Sequence, residues 1–160
     1  TLCEPLGPAP ELALLVLDGG GEVDTLEYNR RDHRAALRRL APQHREALEV
    51  LRAGLRTGDL AAIGHAATLS ALAHQSILPK PALPSVMAVA RDLGAWGVNV
   101  AHSGTVIGIL LAARADVKDA ERYVRHKLPG LRLLYATHLV GGGARPHDAS
   151  HQEDSRQQNT

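Results

Sequence analysis

The sequence predicts an α+β domain, with helices packed on one face of a mainly antiparallel sheet. Three observations lead there. Residues 11–18, 97–101, 105–112 and 131–140 are short runs rich in Leu, Val and Ile, bounded by glycine or polar residues, as buried strands are. Between the first two, apolar residues recur at three and four positions, the period of a helix with one buried side. After residue 97 the order becomes strand, strand, helix, strand.

Size and composition fit one such domain. A chain of 160 residues can bury a real core, and 44% hydrophobic with 22% charged residues is ordinary for a globular protein. With one Trp, three Tyr and no Phe, that core must come from Leu, Val, Ile and Ala. The same scarcity argues against a base-stacking binder of single-stranded nucleic acid. A net charge of +1 supplies no global field for DNA or an anionic membrane. Cys3 is the lone cysteine and cannot form an internal disulfide, which fits a reducing cytoplasm. No apolar run approaches the roughly 20 residues of a membrane helix. The opening "TLCEPLGPAP" lacks the basic start and apolar middle of a signal peptide, and has no initiator Met. It reads as mid-chain sequence.

The elements follow in order. "ELALLVLD", Glu11 to Asp18, is a buried strand, and Gly19-Gly20-Gly21 turns the chain at its end. Residues 29 to about 76 are helical with breaks. Pro42 suits the first turn of a helix. Leu48, Leu51 and Leu55 continue that helix, Gly58 caps its end, and Asp59 caps the next start. Leu60, Ile63, Ala67, Leu69 and Leu72 carry the following helix. "ILPKPALP" is a connector because its three prolines interrupt a helix. Ser85 caps a further helix, with Val86, Val89, Ala90 and Leu93 inward and Gly94 at its end. Gly97–Ala101 and Thr105–Ala112 are strands, a helix opening near Gly104 being the alternative for the second. Asp116 caps a helix through about Leu128, and Leu131–Val140 is the last strand. Residues 144–160 are too polar to offset the entropy of ordering and read as a disordered tail.

Chemistry concentrates at glycine turns. Gly19-Gly20-Gly21, the His102-Ser103-Gly104 loop and Gly141-Gly142-Gly143 each follow or join strands. Such turns let backbone amides approach an anion, and they also serve as plain tight turns. His102 and Ser103 offer an imidazole and a hydroxyl to a carboxylate or phosphate, or to water alone. A Ser–His nucleophile pair is disfavoured, because adjacent residues at a strand end point apart. The histidines show no metal-ligand spacing: His65 and His74 lie on different sides of a helix. Arg30, Arg31, Arg34, Arg38 and Arg39 crowd one helical stretch, which reads as a solvated face partnered by groups such as Asp32. A nucleic-acid-binding module would rest on that stretch alone. No GxxxxGK[ST] and no GxGxxG occurs.

"GAWGVNVAHSGTVIGILL" resembles the third conserved motif of the GHMP kinases, a strand, glycine-rich turn and strand in their C-terminal domain. Gly104 falls on a turn glycine, while His102 and Ser103 stand where most members have Gly and Ala. "VAHSGT" with "HLVGGGARP" resembles the L-threonine kinase branch, which serves cobalamin assembly. "LVLDGGGEVDTLEYNRR" resembles the passage from the ATP-binding domain into the C-terminal half, with Thr25 on a Thr near the substrate side of the cleft. "LSALAHQSILPKP" resembles the branch without assignable contacts.

The resemblance covers about residues 5 to 143 and implies a division of labour. Residues 1–28 would be a strand and linker from an N-terminal ATP-binding domain, 29–143 the kinase C-terminal domain, and 144–160 the tail. The whole enzyme would pass the γ-phosphoryl of ATP, with Mg²⁺, to a hydroxyl of a small molecule such as L-threonine. His102, Ser103, Gly104 and Thr25 would bind that substrate, with Gly104 and Thr105 near the phosphate. The family's Pro-x-x-x-Gly-Leu-Gly-Ser-Ser loop and its catalytic carboxylate are not in this sequence, so no catalytic residue is assigned here. A non-catalytic ligand-binding or regulatory α+β domain is the alternative. The purified 160-residue chain is therefore expected to show no ATP-dependent phosphorylation of threonine; measurable turnover by it would contradict this expectation.

Overall fold

The structure, a computed structural model, describes residues 6–141. Cys3, Gly142, Gly143 and the 144–160 tail lie outside the described residues. The elements run β1 (Leu12–Asp18), α1 (Thr25–Arg30), α2 (Arg34–Thr57), α3 (Leu60–His74), α4 (Leu83–Asp92), β2 (Gly97–Val100), β3 (Val106–Ala112), α5 (Val117–Lys127) and β4 (Arg132–His138). The strands form one sheet in the order β2-β3-β1-β4, and every pairing is antiparallel. This is the α+β arrangement the sequence predicts.

β1 is a central strand of this sheet. Leu15 lies opposite Ile109 on one edge and Ala136 on the other. With both edges paired, Leu12, Ala13, Leu15, Val16 and Leu17 are all buried. The strand is enclosed by β3 and β4 and by side chains above and below.

The two-residue period of the strands sorts the core. Ala13, Leu15 and Leu17 join Ile107, Ile109 and Leu111 against Val86, Val89 and Ala90 of α4 and Ala120 and Val124 of α5. Each fully buried Leu or Ile contributes about 1.5–3 kcal/mol relative to exposure. Leu12 and Leu110, of the opposite parity, meet Ile63 of α3, with Leu51 and Leu55 of α2 packed around them. The α2–α3 pair thus adds a second, smaller cluster.

α3 is seated on β2 by two glycines. A Cβ on Gly64 would lie 2.2 Å from the Trp96 carbonyl oxygen, and one on Gly97 would lie 2.0 Å from the Gly64 carbonyl oxygen. Thr68 Oγ1 donates to Gly64 O at 2.9 Å and accepts from Val98 N at 3.1 Å. Helix and strand therefore touch backbone to backbone. The loop that leaves β2 is delivered onto the last turns of α3.

Local signals act mostly where the sequence puts them. Asp24, Asp59 and Asp116 each accept the amide three residues on, capping α1, α3 and α5. Gly58, at φ +71°, ends α2 in the left-handed region. Four expectations change. Pro42 lies inside α2, not in its first turn; it sits on the exposed face, where the carbonyl it frees can be solvated. Ser85 does not cap α4, which starts at Leu83, because Pro84 fits the first turn and carries the helix upstream of it. The arginines divide between α1 and α2: Arg31 pairs with Glu27 at 2.5 Å, and Asp32 accepts the Arg34 amide. Leu72 turns outward, and Ala71 and His74 take the buried side of α3.

Gly64→Ala is expected to destabilise the fold by about 3 kcal/mol, the upper range for overpacking, because backbone is what the new methyl meets. Chemical denaturation checks this; a midpoint within error of the parent would contradict the close packing of α3 on β2.

Candidate functional site

The site is built on the β2–β3 hairpin. Ala101 N donates to Val106 O at 2.9 Å, closing a loop over Ala101–Thr105. Three donors from three parts of the chain then hold its carbonyls. His74 Nε2, at the end of α3, lies 2.7 Å from His102 O. Lys80 Nζ, in the α3–α4 connector, donates to Gly104 O at 2.8 Å. Gly19 N, just after β1, donates to Thr105 O at 3.0 Å. A carbonyl only accepts, so His74 carries its proton on Nε2.

Side chains add to the clamp. The His74 and His102 rings stack with centroids 4.2 Å apart. Thr105 Oγ1 donates to Asp18 Oδ1 at 2.9 Å, and the same oxygen accepts Gly20 N at 3.1 Å. Asp18 Oδ2 accepts from Arg132 at 3.2 Å. Tyr28 Oη stands 3.5 Å from His74 Nε2, and Ser70 Oγ the same distance from His102 Nε2.

Electrostatics follow the geometry. The Thr105 hydroxyl, then the Gly20 amide, hold Asp18 below the usual carboxylate value. Burial pushes His74 below the ordinary imidazole value against its bond to His102 O, and nearby His102, Lys80 and His44 add to the push. Burial also lowers His102, helped by His44 and Lys80, and burial lowers Lys80. Both imidazoles are therefore neutral near pH 7.

His102 and Ser103 are exposed residues; His102 O is held, and the His102 ring keeps one face on His74 and its edge by Ser70. Gly104, the turn glycine of the loop, carries no special backbone demand. It has no positive φ, and a Cβ there would rest 3.6 Å from Ala101 Cβ, an ordinary contact. The position that needs glycine is Gly19, where a Cβ would lie 2.6 Å from Thr105 O. Thr25 opens α1 as an exposed residue; its neighbour Tyr28 is the one that reaches His74. The Gly19–Gly21 turn meets the loop. Gly141 does not, because it follows β4 at the opposite end of β1.

Two cavities flank the loop. One, of about 360 Å³, is lined by Gly19, Gly20, Gly21, Lys80, Gly104 and Thr105 among others. The second, of about 380 Å³, has His44, Ser70, Asn99 and His102 on a largely apolar wall. Among the described residues, no group of three His, Cys, Asp or Glu is placed to hold a metal ion. No described helix is long and apolar enough to cross a membrane. Sequence reading missed His74, Lys80, Tyr28 and Asp18. A histidine on the apolar side of α3 and a lysine between two prolines were the available signals.

Helices packed on a four-stranded antiparallel sheet are the C-terminal architecture of a small-molecule kinase family. The profile described as "GHMP kinases C terminal" matches residues 47–130, and the chain belongs to that family. It is 32% identical over 149 residues to the L-threonine kinase of Salmonella typhimurium, covering 89% of this chain and 48% of that protein. It is 38% identical over 102 residues to the L-threonine kinase of Citrobacter freundii, covering 64% of this chain and 35% of that one. The chain thus spans about half the length, or less, of these relatives. Its fold is similar to that of L. major mevalonate kinase in complex with R-mevalonate, with a TM-score of 0.71 at 20% identity, over 88% of this chain and 46% of that one. Streptococcus pneumoniae phosphomevalonate kinase, in complex with phosphomevalonate and AMPPNP, aligns with a TM-score of 0.64 at 15% identity, over 85% and 42%.

The depressed imidazoles set a pH window. The unfolded chain binds protons at 6.5 that folded His74 and His102 refuse, so stability is full above 6.5 and falls as pH drops below it. The melting temperature is expected to fall from pH 7 to 5, and His74→Gln to flatten that slope. An unchanged slope in the variant would remove His74 from the account.

Proposed function

We propose that this chain is the C-terminal part of an ATP-dependent kinase that phosphorylates the hydroxyl of L-threonine, giving L-threonine O-3-phosphate. One observation carries the reading. The Ala101–Thr105 loop has three of its carbonyls held by His74, Lys80 and Gly19 while His102 and Ser103 remain exposed residues. Phosphoryl transfer needs chiefly fixed positions and fixed dipoles, and a loop held this way presents both. Similarity to two L-threonine kinases at 32% and 38% identity supports threonine as the acceptor.

In this reading His102, neutral at pH 7, and Ser103 hydrogen-bond the substrate, and Thr25 lies on the same side of the cleft. Gly104 and Thr105 lie beside the phosphate being transferred. ATP and the catalytic carboxylate reside in an N-terminal domain, the partner of this one, and the enzyme works in the cytoplasm. Mg²⁺ would accompany ATP; the described residues offer it no cluster of ligands, so no step here runs through it. The contribution of this chain is orientation: holding the acceptor hydroxyl still, with water displaced from the loop.

Kinetics on the full-length protein test this. Threonine should exceed homoserine and serine in kcat/KM by about tenfold or more, the worth of one well-placed methyl or hydroxyl contact. His102→Ala should raise KM or lower kcat about tenfold, as loss of one substrate hydrogen bond does, with the fold intact by circular dichroism. Homoserine preferred over threonine, or unchanged kinetics in the variant, would contradict the assignment.

A further inference from the structure

Lys80 is held in an unusual setting. It sits between Pro79 and Pro81, and only 6% of it is exposed. Its backbone is fixed by Gln75 Oε1, which accepts Lys80 N at 2.7 Å. Its ammonium has three donors, and one acceptor meets it, the neutral carbonyl of Gly104.

Among the described residues no carboxylate balances this charge. Among the described residues Lys80 forms no ion pair. Glu22 lines the adjacent cavity without pairing with it. The Asp18 oxygens are taken by Thr105, Gly20 and Arg132. His74 and His102, which sense the ammonium electrostatically, are bases too. A buried cation with neutral and basic neighbours is costly until a counter-charge arrives. Holding one loop carbonyl does not require a charge, since His74 does the same as a neutral group.

The cavity beside Lys80 suits an anion. Gly20 and Gly21, at φ +78° and +80°, turn the chain along its wall, and a Cβ on either would meet nothing within 4 Å. Gly19 N and Gly20 N are already bonded, to Thr105 O and Asp18 Oδ1, so Gly21 N is the glycine amide on this wall left to approach an oxygen atom. Gly104 and Thr105 complete the wall, so the cavity and the substrate loop share residues.

We infer that Lys80 and the glycine-lined cavity beside it seat an anionic oxygen group of the substrate, a carboxylate or a phosphate. The inference rests on reading the chain as part of a small-molecule kinase. Lys80 then has two tasks: one proton holds the loop, and the others meet the anion. Burial sharpens selectivity, because a neutral analogue would leave the ammonium unpaired.

Ligand-induced shifts in melting temperature of the full-length protein test this without requiring turnover. Three probes are compared: L-threonine, L-threoninamide, which lacks the carboxylate charge, and inorganic phosphate. If the anion is a carboxylate, threonine stabilises the native protein at a concentration at least about tenfold below threoninamide, and Lys80→Met erases the difference. If it is a phosphate, inorganic phosphate stabilises the native protein and not Lys80→Met. Lys80→Arg, which keeps the charge, should retain the native response. A Lys80→Met protein that discriminates and responds like the native one overturns the inference. So does a native protein indifferent to both charges, a result that stands even if the variants fail to fold. Loss of threonine turnover with the predicted shifts intact would strike the kinase reading alone.

Discussion

Three hydrogen bonds to consecutive stretches of one loop organise this domain. His102 O, Gly104 O and Thr105 O take protons from α3, from the α3–α4 connector and from the turn after β1. Each such bond contributes about 1 kcal/mol net, yet leaving any one of these carbonyls unpaired in a half-buried setting costs more. The three donors, Lys80, His74 and Gly19, lie 24, 28 and 86 residues before the carbonyls they bind, in separate parts of the fold. The loop is therefore a readout of tertiary structure: it has its shape only when helix, connector and sheet are all in place.

That dependence explains features remote from the loop. Gly64 and Gly97 let α3 touch β2 backbone to backbone, which sets the height at which His74 meets His102. β1 carries Gly19 to Thr105 because it pairs with β3 in register from Leu12–Ala112 to Asp18–Val106. Gly19 itself is bare because its Cβ would strike the carbonyl it binds. Buried Leu15, Leu17, Ile107 and Ile109 keep that register, since a one-residue slip would turn them out of the core.

Much of this was legible in the sequence. The strands, the Asp59 and Asp116 caps, the Gly58 stop and the loop at His102–Gly104 follow from period and turn chemistry, which are local. What was not legible is long-range. His74 and Lys80 lie 28 and 24 residues from the carbonyls they bind, and nothing in "AHQSILPKP" states where those carbonyls are. Gly104 reads as the turn glycine, yet its backbone takes an ordinary conformation, and the steric demand falls on Gly19. Pro42 and Ser85 misled for a related reason. Each is a helix-start residue by type, and packing began the helix elsewhere.

The same long-range assembly links fold to chemistry. A loop of two strands could carry His102 and Ser103 anywhere; held at His102 O, Gly104 O and Thr105 O it presents them in one place, which the proposed acceptor site would use. The most direct measurement is a crystal structure of the full-length protein with L-threonine and a non-hydrolysable ATP analogue. Threonine is expected in contact with the His102–Thr105 loop, with its carboxylate or the terminal phosphate in hydrogen-bond reach of Lys80. Threonine bound elsewhere, with this loop facing only solvent, would contradict it.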